Sequence, residues 1–578
     1  MNQQPSSSRS KDKDGGLLKR SLNSLFSLMG LQLVSRLLTF VLNQALVRLA
    51  SPQAYGTAAI QFEFILSTIL FLSREGVRNA LLRAWPRNTT IHTQGSTLNK
   101  DDHAPALTNL STLPIILGLP VSLAMALAYA TLASDDARRQ PHFHVALSTY
   151  VFAALSELFS EPMHNRAMGE VRTGARVRAE GLGITCKTIV TYLILLYDST
   201  RPDSGEFALV AFALGQLTYS NVVFFSYAYQ MGYPTFWPIR LATRQSSKAS
   251  VSRSTFYRIA SQYFDVSSLH MSLTMTMQSI VKHILTEGDK IILSWWSPLD
   301  DQGGYAIAVN YGSLVARIVF QPLEEICRVY FSRILCSPAE TKSTSTGAQF
   351  DRRSLAQASE ILLSLVSIQL ACSVLVLVFA TVYLPIVLHL LLPSQYLSTC
   401  APKVLAAWIW YIPVLAINGV LEAFFSSIAT SQDLRRQSRW LIGFSIVFIV
   451  SAVGFYASGF GDVSLVYANI INLAARIIYA AQYASTFFKR NKITHGWHAS
   501  TPTWQFLLVA MLSYLAISMT NIHHQADILL QTKGRGAILS VIVVSHLAQG
   551  AGMGLCCIAT WWLTSGRYLV RRAPVKTD

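Results

Sequence analysis

Lys282, His283, Glu287, Asp289 and Lys290 stand within the eighteen residues "SIVKHILTEGDKIILSWW" (279–296), whose other positions are mostly apolar. On an ideal helix advancing about 100° per residue, these five and Thr286 fall within an arc of roughly 160°, opposite Val281, Ile284, Leu285, Gly288 and Ile292. Charges in apolar surroundings admit two readings. Either Glu287 and Lys290, three residues apart, neutralise one another as a helical ion pair, or the charged face meets a polar ligand. Arg and Lys donors suit a phosphate or diphosphate, and carboxylates and amides suit sugar hydroxyls. Further charges at span depth are Arg36, Lys187, Arg317, Arg476, Glu63, Glu157, Glu161 and Glu422. Each costs about 2.5–3.5 kcal/mol at a bilayer centre, so each must face a cavity or a partner. The cavity set expected on this basis is Arg36, Lys187, Lys282, Glu287, Asp289, Lys290, Arg317 and Glu422. In-span Asn43, Gln44, Gln61, Asn310, Tyr311 and Asn418 supply either sugar contacts or helix-packing hydrogen bonds.

The elements that position these groups follow from composition. Of 578 residues, 51% are hydrophobic and only 13% charged, in long apolar runs divided by short polar stretches, which makes this an all-α polytopic membrane protein. Windows of about 20 apolar residues predict about fourteen transmembrane helices: 22–46, 56–73, 107–131, 145–163, 181–197, 207–229, 274–296, 304–326, 360–391, 404–428, 440–457, 462–486, 503–520 and 537–563. With the N-terminus cytosolic and sides alternating, the large majority of the 47 Lys and Arg fall on cytosolic segments, including "LRRQSR" (434–439), "KRNK" (489–492) and "RYLVRR" (567–572). Both termini are then cytosolic. The net charge of +17 is accordingly a topology signal rather than a nucleic-acid signal.

The chain also repeats itself. "LASPQAYGTAAI" from Leu49 and "WWSPLDDQGGYAIA" from Trp295 open equivalent spans, and "REGVRNALLR" (74–83) overlies "EEICRVYFSR" (324–333) at a constant offset of 250. Six spans per copy is an even number, so the copies are parallel, giving two six-helix lobes around a central cavity. Arg74, Glu75, Arg78, Glu324, Glu325 and Arg328 then form the cytosolic mouths. The expected organisation is a disordered tail (1–21), an N-terminal lobe (22–230), a cytosolic linker (231–273), a C-terminal lobe (274–488) and an appended helix pair with a tail (489–578). The basic, Ser-rich part of the linker, Leu241 to Arg258, reads as partly an amphipathic surface helix.

Enzyme signatures are missing. No GxxxxGK[ST], HExxH or GxSxG occurs, so no catalytic residue and no cofactor is expected. The seven cysteines show neither a disulfide framework nor zinc spacing, and "HFH" at His142 and "HHQAD" at His523 read as solvated loop histidines, so no metal is expected.

Six stretches together resemble the Rft family of endoplasmic-reticulum oligosaccharide translocation proteins. They are "LVSRLLTFVLNQALVR" (33–48), "LFLSREGVRNALLR" (70–83), "SELFSEP" (156–162), "QSIVKHILTEGDK" (278–290), "GSLVARIVFQPLEE" (312–325) and "LAINGVLEAF" (415–424). The resemblance implies the multidrug/oligosaccharidyl-lipid/polysaccharide exporter superfamily, an endoplasmic-reticulum membrane location, and translocation of Man(5)GlcNAc(2)-PP-dolichol from the cytosolic to the lumenal leaflet for N-glycosylation. Its partners are that lipid-linked oligosaccharide and membrane lipids. The alternatives are a cation or drug antiporter of the same superfamily and a non-transporting factor in dolichol-linked glycan assembly.

Topology is testable at "NTT" from Asn88, a glycosylation sequon that the span count places on the cytosolic side. The expected outcome is no glycan. A glycosidase-sensitive mass shift abolished by Asn88→Gln overturns the orientation.

Overall fold

The structure is a computed structural model that describes residues 40–41, 43–84, 103–170, 172–234, 236–240, 262–336 and 352–567. The expected tail (1–21), the Leu241–Arg258 stretch and the Asn88 sequon lie outside the described residues. The chain is an all-α multi-pass membrane protein, with no strand among the described residues.

The helices used below are α1 (Pro52–Gly56), α2 (Glu63–Ala84), α3 (His103–Leu132), α4 (Phe143–Leu158), α5 (Glu161–Gly169), α6 (Thr173–Ser199), α7 (Ala208–Met231), α8 (Val266–Thr286), α9 (Gly288–Trp296) and α10 (Leu299–Val315). They continue with α11 (Gln321–Cys336), α12 (Arg352–Leu391), α13 (Ala401–Ile428), α14 (Ser431–Phe455), α15 (Val463–Arg490), α16 (Trp504–Ser518), α17 (Asn521–Lys533) and α18 (Val541–Trp561). Among the described residues eleven helices are long and apolar enough to cross a membrane, or up to twelve if the bent pair Trp504–Ser518 and Asn521–Ala537 is one span. The count of about fourteen is not reached for two reasons. The expected first span, 22–46, lies largely outside the described residues. The expected span 274–296 is broken at Glu287 (φ −96°, ψ 6°), between α8 and α9.

That break corrects the single-helix arc drawn through Lys282 and Lys290. Glu287 closes α8 by donating its N–H to the His283 carbonyl, and α9 starts afresh at Gly288. Polar side chains cap a few of the helix starts. The Asp265 carboxylate accepts from Ser268 N–H at 2.9 Å, and Thr430 and Asp433 form a reciprocal capping box at the head of α14. Gly459 and Gly461, at φ 86° and 60°, turn the chain from α14 towards α15 in a backbone region costly for any residue with a Cβ. The "HHQAD" histidine His523 is on α17 rather than in a loop, its Nδ1 3.3 Å from His546 Nε2 and its Nε2 3.7 Å from Asp527.

Two compact units divide the chain: Leu42–Ala306, and Ile307–Asp578 with Met1–Val41. In the former, α6 and α7 pair as a hairpin, α4 packs on α7, and α8 and α3 flank α2. In the latter, α13 packs between α12 and α15 over an aromatic core that includes Phe331, Phe424 and Phe488, while α16 and α18 pair beside α12.

Within the Leu42–Ala306 unit, the two repeated opening motifs cross. A Cβ on Gly303 would sit 2.0 Å from the Pro52 carbonyl oxygen, and one on Gly56 would sit 2.6 Å from Gly303 N. Small residues therefore permit backbone contact that no larger side chain allows. Around the crossing, Gln53 Nε2 donates to Asp300 at 3.1 Å, and buried Gln61 Nε2 donates to Gln302 Oε1 at 2.8 Å.

Gly303→Val is expected to destabilise the protein by at least about 1–3 kcal/mol, read as a lowered thermal midpoint in detergent. Gly174→Ala is the contrast, since its added Cβ meets nothing within 4 Å and its helix gains propensity. Equal midpoints for wild type and Gly303→Val would refute the crossing.

Candidate functional site

In the Leu42–Ala306 unit, five helices enclose a cavity of about 550 Å³. Its charged lining is Arg74, Arg78 and Lys187 against Glu63, Glu75, Glu157 and Glu287, with Gln216, Tyr219, Ser67, Thr286 and His283 adding polar groups. α2 carries most of it. Glu63, Ser67, Arg74 and Arg78 recur at intervals of four or seven residues, so they share a face. The same helix seals its other side with Ile65 and Ile69, both buried.

The cations differ in what holds them. Arg74 Nη1 lies 2.6 Å from Glu157 Oε1 and 3.2 Å from Glu161 Oε1. Arg78 forks onto Glu161, with Nε donating to Oε2 at 2.8 Å and Nη2 to Oε1 at 2.5 Å. The Glu161 side chain is only 1% exposed. It opens α5, where Pro162 sits in the first turn and the helix N-terminus favours a carboxylate. These two Arg are thus engaged by α4 and α5. Lys187 is not. Its ammonium donates to the Gln216 amide oxygen at 2.6 Å, and no carboxylate lies within ion-pair distance of it among the described residues.

The break at Glu287 shapes another wall. His283 Nε2 shares a 3.1 Å hydrogen bond with Thr68 Oγ1, and its ring stacks on Phe71 with centroids 4.2 Å apart. Lys290 Nζ lies 2.8 Å from Glu287 Oε2, the ion pair that the i, i+3 spacing allowed. Asp289 Oδ1 accepts from Lys290 N–H at 2.9 Å.

Of the residues expected to line a cavity, Lys187 and Glu287 do so here, and Lys290 reaches it through Glu287. Arg36 lies outside the described residues, as does the Lys282 side chain. Arg317 and Glu422 belong to the Ile307–Asp578 unit. There Arg317 donates to the carbonyl and side-chain oxygens of Asn310 at 2.9 and 2.8 Å, and Arg476 pairs with Glu422 at 2.5 Å. Arg74, Glu75 and Arg78, read as a mouth, line the 550 Å³ cavity itself. Arg78 pairs with Glu161 rather than with Glu75, which accepts from Asn79 at 3.1 Å. Glu324, Glu325 and Arg328 stand on α11, where Arg328 and Glu324 form a 2.6 Å pair.

Some in-span amides turn out to make packing bonds. Gln61 meets Gln302 and Tyr129, and Asn418 Nδ2 donates to Glu422 at 3.0 Å. Missing from the expected cavity set were Glu157, although "SELFSEP" displayed it at span depth, and also Gln216 and Tyr219, while Glu161 stands buried behind the lining, paired with Arg74 and Arg78.

A family model described as Rft protein matches residues 20–569. The chain belongs to the Rft family. Curated relatives called Man(5)GlcNAc(2)-PP-dolichol translocation protein include that of Yarrowia lipolytica, 33% identical over 82% of this chain and 71% of the relative. Those of Schizosaccharomyces pombe (31%) and Saccharomyces cerevisiae (27%) each align over 82% of this chain and 84% of their own length. Among solved structures, "Lipid II flippase MurJ, inward closed conformation" superposes with a TM-score of 0.57 over 94% of this chain and 99% of that one, at 14% identity. That likeness assigns the fold.

For this Rft-family chain, the two mouth pairs should respond differently to charge reversal. The Arg78 and Glu161 side chains are 23% and 1% exposed, whereas those of Arg328 and Glu324 are 49% and 29% exposed. Breaking a buried pair costs about 3–5 kcal/mol, and breaking an exposed one about 0–1. Arg78→Glu should therefore reduce steady-state protein several-fold while Arg328→Glu leaves it near normal. Equal abundance of the two variants by quantitative immunoblot counts against the buried cluster.

Proposed function

We propose that this chain moves Man(5)GlcNAc(2)-PP-dolichol from the cytosolic to the lumenal leaflet of the endoplasmic-reticulum membrane, as a transporter and not as an enzyme. The observation that carries the reading is Lys187, an ammonium lining a cavity of about 550 Å³ and held by an amide instead of a carboxylate. It is available to a phosphate oxygen in a way that Arg74 and Arg78 are not. The hydroxyl, amide and carboxylate groups around it, from Ser67, Gln216, Tyr219 and Glu63, match sugar hydroxyls. A polyprenyl tail stays in the bilayer while such a wall carries the head group. Family membership and the names of the relatives support the same substrate class.

A second reading draws on the same lining, in which four carboxylates, Glu63, Glu75, Glu157 and Glu287, outnumber the three cations. That balance favours a cationic solute, as in an antiporter.

Purified protein in vesicles separates the two. Expected is leaflet-resolved translocation of the defined lipid-linked heptasaccharide, at least several-fold slower with Lys187→Met, and no protein-dependent uptake of a quaternary ammonium dye. Dye uptake without glycolipid movement would transfer the assignment to the antiporter. Glycolipid movement equal to that in protein-free vesicles would end the flippase reading.

A further inference from the structure

A second polar groove lies in the Ile307–Asp578 unit, between α14 and α15. It encloses about 350 Å³ and is lined by Asp433, Arg436, Tyr479, Gln482, Tyr483, Thr486, Phe487 and Arg490. Neither Arg436 nor Arg490 has a carboxylate within ion-pair distance among the described residues, although Asp433 lines the same groove. Asp433 is already engaged. Its Oδ2 accepts from Thr430 N–H at 3.1 Å, from Thr430 Oγ1 at 2.7 Å and from Tyr483 OH at 3.0 Å. The capping box that starts α14 thus holds that carboxylate outside ion-pair distance, although its charge still acts on Arg436, and two guanidiniums stand beside Gln482, Thr486 and Tyr479. Exposed Arg435, Arg439 and Lys489 add positive charge at the same helix ends.

The groove continues into an apolar face. On an ideal helix Trp440, Val447 and Val450 lie within about 40° of Arg436 around α14, and all three are exposed. Trp440 stacks on Phe444 and tilts against Tyr479, itself a wall of the groove. A ligand with an anionic head and an apolar tail meets both chemistries in sequence, with an indole at the boundary where such rings concentrate.

We propose that this groove is a head-group site for an anionic glycerophospholipid, with Arg436 and Arg490 on the phosphodiester, Gln482 and Thr486 on head-group hydroxyls, and the acyl chains along α14. Forked guanidinium donors fit phosphate oxygens, and the exposed apolar stripe selects a lipid over a soluble phosphate. The site is separate from the Lys187 cavity in the other compact unit and does not depend on what that cavity carries.

The test is lipid retention by full-length protein in detergent, read by native mass spectrometry with phosphatidylinositol, phosphatidylcholine, glycerophosphoinositol and dolichyl diphosphate as probes. Expected is at least fivefold preference for phosphatidylinositol over phosphatidylcholine. Arg436→Gln/Arg490→Gln should abolish it, and Arg435→Gln/Arg439→Gln, which removes equal charge outside the groove, should retain it. Should the first variant fail to fold, Arg436→Lys/Arg490→Lys keeps the charge without the fork and should show an intermediate preference. Displacement by glycerophosphoinositol would overturn the lipid claim in favour of a soluble phosphate, and tighter retention of dolichyl diphosphate would reassign the groove to a polyprenyl lipid. Equal retention of phosphatidylinositol and phosphatidylcholine, or by wild type and both groove variants, removes the site altogether.

Discussion

Two guanidiniums and two carboxylates inside the membrane-spanning part of the Leu42–Ala306 unit impose the constraint around which its helices are arranged. Arg74 and Arg78 on α2 bind Glu157 at the end of α4 and Glu161 at the start of α5. Removing any one partner leaves a buried charge, so the set is more costly to break than it is stabilising as a whole. The helices must therefore meet in one register. The turn at Phe159–Ser160 lets α5 begin at Glu161, bringing its carboxylate against Arg78 while Glu157 stays on α4 against Arg74. Because the cluster is electrically balanced, it fixes the cavity wall without turning that wall into a phosphate trap.

The internal repeat preserves this principle but not its partners. Position 74 is Arg and its counterpart at offset 250, position 324, is Glu. In the Ile307–Asp578 unit the carboxylate on α13, Glu422, takes its cation from α15, at Arg476, while Glu324 pairs with Arg328 one turn along its own helix. Each copy keeps a neutralised glutamate near the end of a long helix, answered from a different element. Charge compensation across helices allows such exchange, since a carboxylate requires a cation in reach and is indifferent to which helix supplies it.

Much of this was legible in the sequence and some was not, for definite reasons. Span windows from 107–131 to 207–229 correspond to helices Leu107–Leu132 through Ala208–Met231 because apolar length is a local property. The Glu287–Lys290 pair was readable too, being set by helical spacing alone. By contrast, the partnership of Arg78 with Glu161 joins residues 83 positions apart, and only packing of α2 against α5 reveals it. The break at Glu287 escaped because no proline announces it, and the apolar residues continue in phase through Ile291 and Ile292. Lys187 was singled out as a buried cation, yet its amide partner Gln216, 29 residues on in α7, required the α6–α7 hairpin.

That amide partner bears on how the proposed translocation proceeds at a useful rate. A cation locked to a carboxylate would have to be released before it met a phosphate, at the cost of exposing two charges in a low-dielectric site. A cation with no polar partner would hold a diphosphate too tightly to let it leave. Lys187 on Gln216 sits between these limits. Hydrogen bonds to a charged group contribute about 1.5–3 kcal/mol, so exchanging an amide oxygen for a phosphate oxygen is close to balanced. In the proposed cycle the amide recovers the ammonium once the head group departs. Transport favours such exchange over tight binding, because a site that captures strongly also releases slowly, and under the proposed function Arg74 and Arg78, already engaged by Glu157 and Glu161, compete less for the ligand than Lys187 does.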